Sequence, residues 1–139
     1  MAITYRCDKD LRCTFIVWDA DVTPEQWRDH SDRMWSDPTF PPGPLMLADL
    51  STANGAPSVS SEVVVEMAAS LRERAAKVRP IRVAVIPNGA WDKALVLERD
   101  TEGSGLTTIV FNDLATACTW LGLSEDAAKP ILAKLRADC

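Results

Sequence analysis

The sequence is poor in the residues from which most active sites are built. It has one histidine, His30, and six glycines in 139 residues. A single histidine must serve any Ser-His or Cys-His scheme, and the Gly-x-Ser-x-Gly turn that presents a nucleophilic serine is missing. Neither Gly-x-Gly-x-x-Gly nor Gly-x-x-x-x-Gly-Lys-Ser/Thr occurs, so no glycine-rich loop is set to cradle phosphate. Gly103-Ser104-Gly105 precedes a strand pattern and reads as a turn. The four cysteines, Cys7, Cys13, Cys118 and Cys139, contain no Cys-x-x-Cys pair. With one histidine they complete no usual zinc set, and the expectation is a chain without metal or cofactor. An excess of positive charge is also missing. The formal net charge is −5 and the basic residues are dispersed, which argues against nucleic acid or an anionic membrane as partner. No apolar run approaches the roughly 20 residues that span a bilayer. Met-Ala-Ile-Thr-Tyr-Arg runs straight into a strand pattern rather than a signal peptide. The expected compartment is the cytoplasm, with thiols reduced.

What is there is an ordinary globular composition, 47% apolar and 25% charged, enough for a single domain over residues 1–139 with its own core. Ile3–Cys7 alternates as an edge strand, with Ile3, Tyr5 and Cys7 on one side. Arg12–Asp19 is apolar on both parities, as in a strand covered on both faces, and the two strands make an antiparallel hairpin with Cys7 and Cys13 on neighbouring strands. Thr23-Pro24-Glu25-Gln26 opens a helix with a cap, a proline at its first position and a capping-box glutamine. Trp27, His30, Met34 and Trp35 follow at helical spacing, His30 reading as a helix-flank residue that is partly solvated. Leu45–Ala48 is a short buried strand ending in Asp49. A helix from about Ser58 to Lys77 carries Val59, Val63, Met67, Leu71, Ala75 and Val78 on one stripe. Ile81–Ile86 is an interior parallel strand, Trp91–Arg99 a helix with Trp91, Ala94 and Leu95 in phase, and Thr107–Phe111 the last strand. Asn112 or Asp113 caps a helix ended by Gly122. Residues 123–139 form a C-terminal helical extension in which Pro130 implies a kink or a restart.

Strands alternating with helices predict an α/β fold: a mixed, mainly parallel five-stranded sheet with an N-terminal antiparallel hairpin and crossover helices. Crossovers between neighbouring strands put their helices on one face. The other face then needs a partner, a terminal segment or tolerance of exposure, and an uncovered apolar face would imply a homodimer.

Candidate functional residues gather where the strand Leu45–Ala48 meets the next helix, the working edge of open α/β sheets. Asp49 ends the strand, and an aspartate there commonly accepts from loop amides. Ser51 and Asn54 follow in the loop 50–57. Ser58, Ser60 and Ser61 stand near a helix start, where serine caps by default and where a phosphate would be favoured by the helix dipole. Asp19 with Asp21, and Asp29 with Asp32, are carboxylate pairs with nothing in the pattern to bury and tune one of them. Trp27, Trp35 and Trp120 read as core or rim anchors, although an apolar pocket binding a small molecule or lipid stands as the alternative function.

The order of elements and several local patterns resemble the SpoIIAA-like proteins, whose fold is shared with the STAS domain of anti-anti-sigma factors. The patterns are Leu47-Ala48-Asp49-Leu50, Val83-Ala84-Val85-Ile86, Ala94-Leu95-Val96-Leu97-Glu98, Val110-Phe111-Asn112-Asp113-Leu114-Ala115-Thr116-Ala117 and Trp120-Leu121-Gly122. The resemblance implies a bacterial, non-enzymatic regulatory module that binds a protein partner. In the family a kinase phosphorylates a serine at the start of the helix after the third strand. Here Ala56-Pro57-Ser58-Val59-Ser60-Ser61-Glu62 occupies that place, with Ser58 the nearest positional match, without the family's preceding Asp and following Gly. The expected partner-binding residues are Asp49, Ser51, Asn54 and Ser58, and the expected modification sites Ser58, Ser60 and Ser61. On this reading, replacing Asp49 or Ser58 weakens partner capture and leaves the domain folded.

Overall fold

The computed structural model describes residues 3–18, 22–40, 45–51, 61–77, 81–87, 91–103 and 105–139, with backbone alone at 61–63, 81 and 91–94. Five strands form one sheet in sequence order: β1 (Ile3–Asp8), β2 (Cys13–Trp18), β3 (Leu45–Asp49), β4 (Ile81–Ile86) and β5 (Leu106–Val110). β1 runs antiparallel to β2, and β2 through β5 are parallel. The helices are α1 (Pro24–Trp35), α2 (Ser61–Ala75), α3 (Trp91–Thr101), α4 (Leu114–Leu121) and α5 (Glu125–Asp138). The α/β class and the mixed sheet expected from the sequence are those observed.

Local chemistry sets the helix limits. The Thr23 hydroxyl accepts from the Gln26 N–H at 3.1 Å, and the Gln26 side chain accepts from the Thr23 N–H at 2.8 Å. Val22 and Trp27, one on each side of this capping box, are buried in the same cluster, the arrangement of a hydrophobic staple. Asp113 caps α4 through the Thr116 N–H at 2.7 Å. Gly122 closes α4 at φ 73°, a left-handed conformation that glycine adopts without a Cβ penalty. Ser124 caps α5. This last helix runs through Pro130 rather than restarting at it.

Because side chains alternate along each strand, the sheet has two apolar faces and two cores. Ile16, Trp18, Met46, Val83, Val85 and Leu106 meet the crossover helices α1, α2 and α3 on one side. Cys13, Phe15, Val17, Leu47, Ala84 and Ile86 meet α4 and α5 on the other. The terminal segment therefore covers the second face, and an open apolar face no longer argues for a homodimer. No helix among the described residues is long and apolar enough to cross a membrane.

Two sequence readings are corrected. Along α2 the deeply buried positions are Val64, Ala68 and Ala75, with Met67 and Leu71 at the margin, so the stripe is centred about one residue later than expected. Along α3, Leu97 and Thr101 are buried and Leu95 is half exposed. Leucines at both phases of this short helix made its inward side ambiguous from spacing alone. The Cys7–Cys13 pair is split by strand register. Cys7 lies opposite Thr14 and accepts from its hydroxyl at 3.6 Å, whereas Cys13 points into the other core, so no disulfide joins them. All four cysteines are free, and burial pushes the Cys7, Cys13 and Cys118 thiols up.

His30 is the third correction: it is 3% exposed rather than partly solvated. Its ring meets Tyr5 edge-on, with centroids 5.5 Å apart, and Nδ1 is buried with no hydrogen-bond partner among the described residues. Burial, with the Arg33 charge adding to it, lowers the histidine pKa from 6.5 to about 4. The unfolded chain therefore takes up this proton near pH 6.5 while the folded protein resists it to about pH 4. Stability must fall as pH drops through that window, because the unfolded state binds more protons. Urea unfolding at pH 7 and pH 4.5 should show wild-type protein losing about 2–3 kcal/mol more than His30→Leu. Parallel losses would show that this histidine is not held neutral.

Candidate functional site

The site is built at the C-terminal ends of the parallel strands. Val17, Asp49 and Ile86 stand side by side in the registers of β2, β3 and β4, and Thr4 of β1 completes the row opposite Val17. Asp49 shares the parity of Leu47, so its side chain points to the α4/α5 face. It is 2% exposed, the one acid among the buried residues described.

A buried carboxylate is costly unless its charge is balanced and its lone pairs are used. Both conditions are met. Oδ1 accepts from the Ser51 N–H at 2.9 Å and from the Ser51 hydroxyl at 2.5 Å. Oδ2 accepts from the Arg136 guanidinium, which also supplies the counter-charge. The Arg136 side chain is 31% exposed, so the ion pair is buried on the Asp49 side and opens toward solvent on the arginine side. Arg136 Nε is buried with no hydrogen-bond partner among the described residues. The chain is held again just beyond Asp49, where the Leu50 N–H donates to the Ile86 carbonyl at 2.9 Å.

The last turn of α5 is fixed to β1 as well. The Thr4 hydroxyl donates to the Leu135 carbonyl at 3.1 Å and lies 3.4 Å from Cys139 Sγ. Beneath these polar contacts, Ala128, Ile131, Leu132 and Leu135 are buried against the sheet. The apolar stripe brings α5 down, and the polar groups at its end determine where along the strand ends it stops.

Of the residues singled out in the sequence, Asp49 and Ser51 are brought into direct contact, Asp49 beneath the surface and Ser51 exposed on it. Asn54, Ser58 and Ser60 lie outside the described residues, as do Asp19 and Asp21. Ser61 begins α2, and its side chain is not described. The expected serine cap of α2 lies outside the described residues for the same reason. His30 belongs to the opposite face of the sheet from Asp49, so the two do not converge in one cleft.

Sequence reasoning missed Arg136. A signal existed: an acid ending a buried strand implies a cation, and Arg136 adjoins the apolar stripe of α5 next to Leu135. Nothing in the sequence, however, selects it over the other basic residues.

A separate polar cluster sits on the α1 face. The Tyr5 hydroxyl donates to Asp37 at 2.8 Å, and Asp37 also accepts from the Thr39 N–H at 2.8 Å and the Thr39 hydroxyl at 2.6 Å. Burial and the Asp37 hydrogen bond push the Tyr5 phenol up to about 12, while the Thr39 bonds lower Asp37. A neutral tyrosine beside a satisfied carboxylate fastens β1 to the end of α1. Among the described residues no group of three or more histidine, cysteine and acidic side chains is placed to hold a metal ion.

The four tryptophans whose side chains are described are anchors. Trp18 and Trp27 are buried. Trp35 packs on Phe40 under the Arg74 guanidinium, and Trp120 packs on Phe111 under that of Arg82.

The fold and this strand-end cluster define the class: an α/β protein with a mixed sheet, covered on both faces, and a buried ion pair at the C-terminal end of a central strand. Comparison with protein-family models, curated proteins and solved structures finds no match.

The burial of Asp49 changes the outcome expected from replacing it. Asp49→Ala leaves the Arg136 charge without its partner and frees the Ser51 N–H and hydroxyl. Urea denaturation should show a loss of about 2–4 kcal/mol, against about 1 kcal/mol for Ser51→Ala. Equal stability of Asp49→Ala and wild type would contradict the geometry.

Proposed function

We propose that this protein is a cytoplasmic, non-enzymatic interaction module of the SpoIIAA-like, STAS-related kind. It recognises a partner protein with the end of β3, the segment 50–57 and the beginning of α2. The observation that carries the reading is the use of both Asp49 oxygens within the protein. A general acid or base must exchange its proton with a substrate, and a carboxylate engaged by Ser51 and Arg136 is occupied as a support. The chemistry around it supports the same view. His30 belongs to the other sheet face, and the thiols of Cys7, Cys13 and Cys118 are shifted away from the reactive thiolate by burial. What the strand end offers is a loop started from a fixed point, which is what recognition requires, because preorganised segments lose less entropy on binding.

The test is affinity capture from the native cell using wild-type protein and the double variant Ser51→Lys, Ser58→Lys, with thermal unfolding of both. The reading expects one partner to be captured by wild type and reduced about tenfold or more by the variant, with Tm changed by only a few degrees. Capture of the same partner at the wild-type level by the variant would contradict it.

A further inference from the structure

We infer that Arg136 is a positioning residue of the recognition surface: acting through Asp49, it holds Ser51 and makes the last turn of α5 a working part of the strand end. The inference rests on the recognition reading above and adds to it the element that controls the surface.

The argument begins from the two oxygens of Asp49. Ser51 occupies Oδ1 twice, through its N–H and its hydroxyl, and Arg136 occupies Oδ2. Hydrogen bonds to an ionised acceptor are roughly twice as strong as those between neutral groups. The two Ser51 bonds therefore draw their strength from a buried charge, and that charge is balanced by Arg136, its one ion-pair partner among the described residues. Remove the guanidinium and the carboxylate stays 2% exposed with nothing opposite it. Turning outward to water is its remedy, and turning breaks the geometry that holds Ser51.

The surroundings of Arg136 point the same way. The helix end that carries it is registered independently by Thr4 on Leu135 and Cys139. The guanidinium thus reaches Asp49 from a fixed base. Ile131 contributes to the docking of α5 through apolar packing alone, so the two roles, covering the sheet and positioning Ser51, fall on different residues of one helix.

Amide hydrogen exchange followed by NMR separates them without needing a partner. Arg136→Met keeps the aliphatic bulk and removes the charge, Arg136→Lys keeps a charge, and Ile131→Ala weakens the helix without touching Asp49. The positioning role expects the Ser51 amide to exchange about tenfold faster in Arg136→Met than in Ile131→Ala, with Arg136→Lys between Arg136→Met and wild type. Equal Ser51 rates in Arg136→Met and Ile131→Ala overturn it, since a purely structural role moves both together. Should Arg136→Met fail to fold, the comparison of Arg136→Lys with Ile131→Ala carries the same decision. Failure of this exchange pattern removes the role of Arg136 and leaves the recognition surface to the capture experiment; failure of capture removes the surface and leaves the exchange pattern standing.

Discussion

A single ion pair joins the middle of this protein's sequence to its last helix. Asp49 ends the central strand β3, and Arg136 lies 87 residues later in the last turn of α5. Hydrophobic burial brings that helix onto the sheet, because Ala128, Ile131, Leu132 and Leu135 have nowhere else to hide their surface. Burial of this kind is non-directional and leaves a helix free to slide or rotate on its apolar stripe. A charge pair with one member almost fully buried is not free in that way. Displaced, it would strand the Asp49 carboxylate in the α4/α5 core, a state several kcal/mol less favourable. The pair works beside the Thr4 contacts to Leu135 and Cys139 and the Leu50 bond to Ile86 in holding the strand ends.

The two faces of the sheet divide the remaining work. On the α1–α3 side, His30 and Tyr5 sit neutral in a packed core, with Asp37 and Thr39 closing the polar contacts at its rim. On the α4–α5 side the charged groups are drawn to the strand ends. This separation makes shared proton-transfer chemistry between His30 and Asp49 impractical, and it makes the strand end a place where chain direction is controlled. A segment leaving β3 does so from backbone pinned at Leu50 and from a serine held by a charged acceptor.

How far the sequence could be read follows the strength of its local signals. Thr23, Pro24 and Gln26 specify a helix start by themselves, since each satisfies a different demand of the same turn, and Asp113 and Gly122 bracket α4 with equal clarity. The doubly apolar run Phe15–Trp18 announced a strand covered on both sides, which the two cores explain. Legibility failed where several registers bury similar surface. Leu95 and Leu97 compete for the inner side of α3, and valines at consecutive positions of α2 blur its phase. The candidate site was half legible: Asp49 and Ser51 could be marked from a strand end and a turn, while Arg136 could not, because tertiary contacts across 87 residues leave no trace in local pattern.

Asp49 and Arg136 act as a coupled unit at the strand end. A double-mutant cycle in urea, with Asp49→Asn, Arg136→Met and the pair combined, measures that coupling directly. The account predicts that the double variant is more stable than the sum of the single losses implies, by about 1.5 kcal/mol or more, because removing both partners leaves no orphaned charge. Single losses that simply add, within about 0.5 kcal/mol, would contradict it.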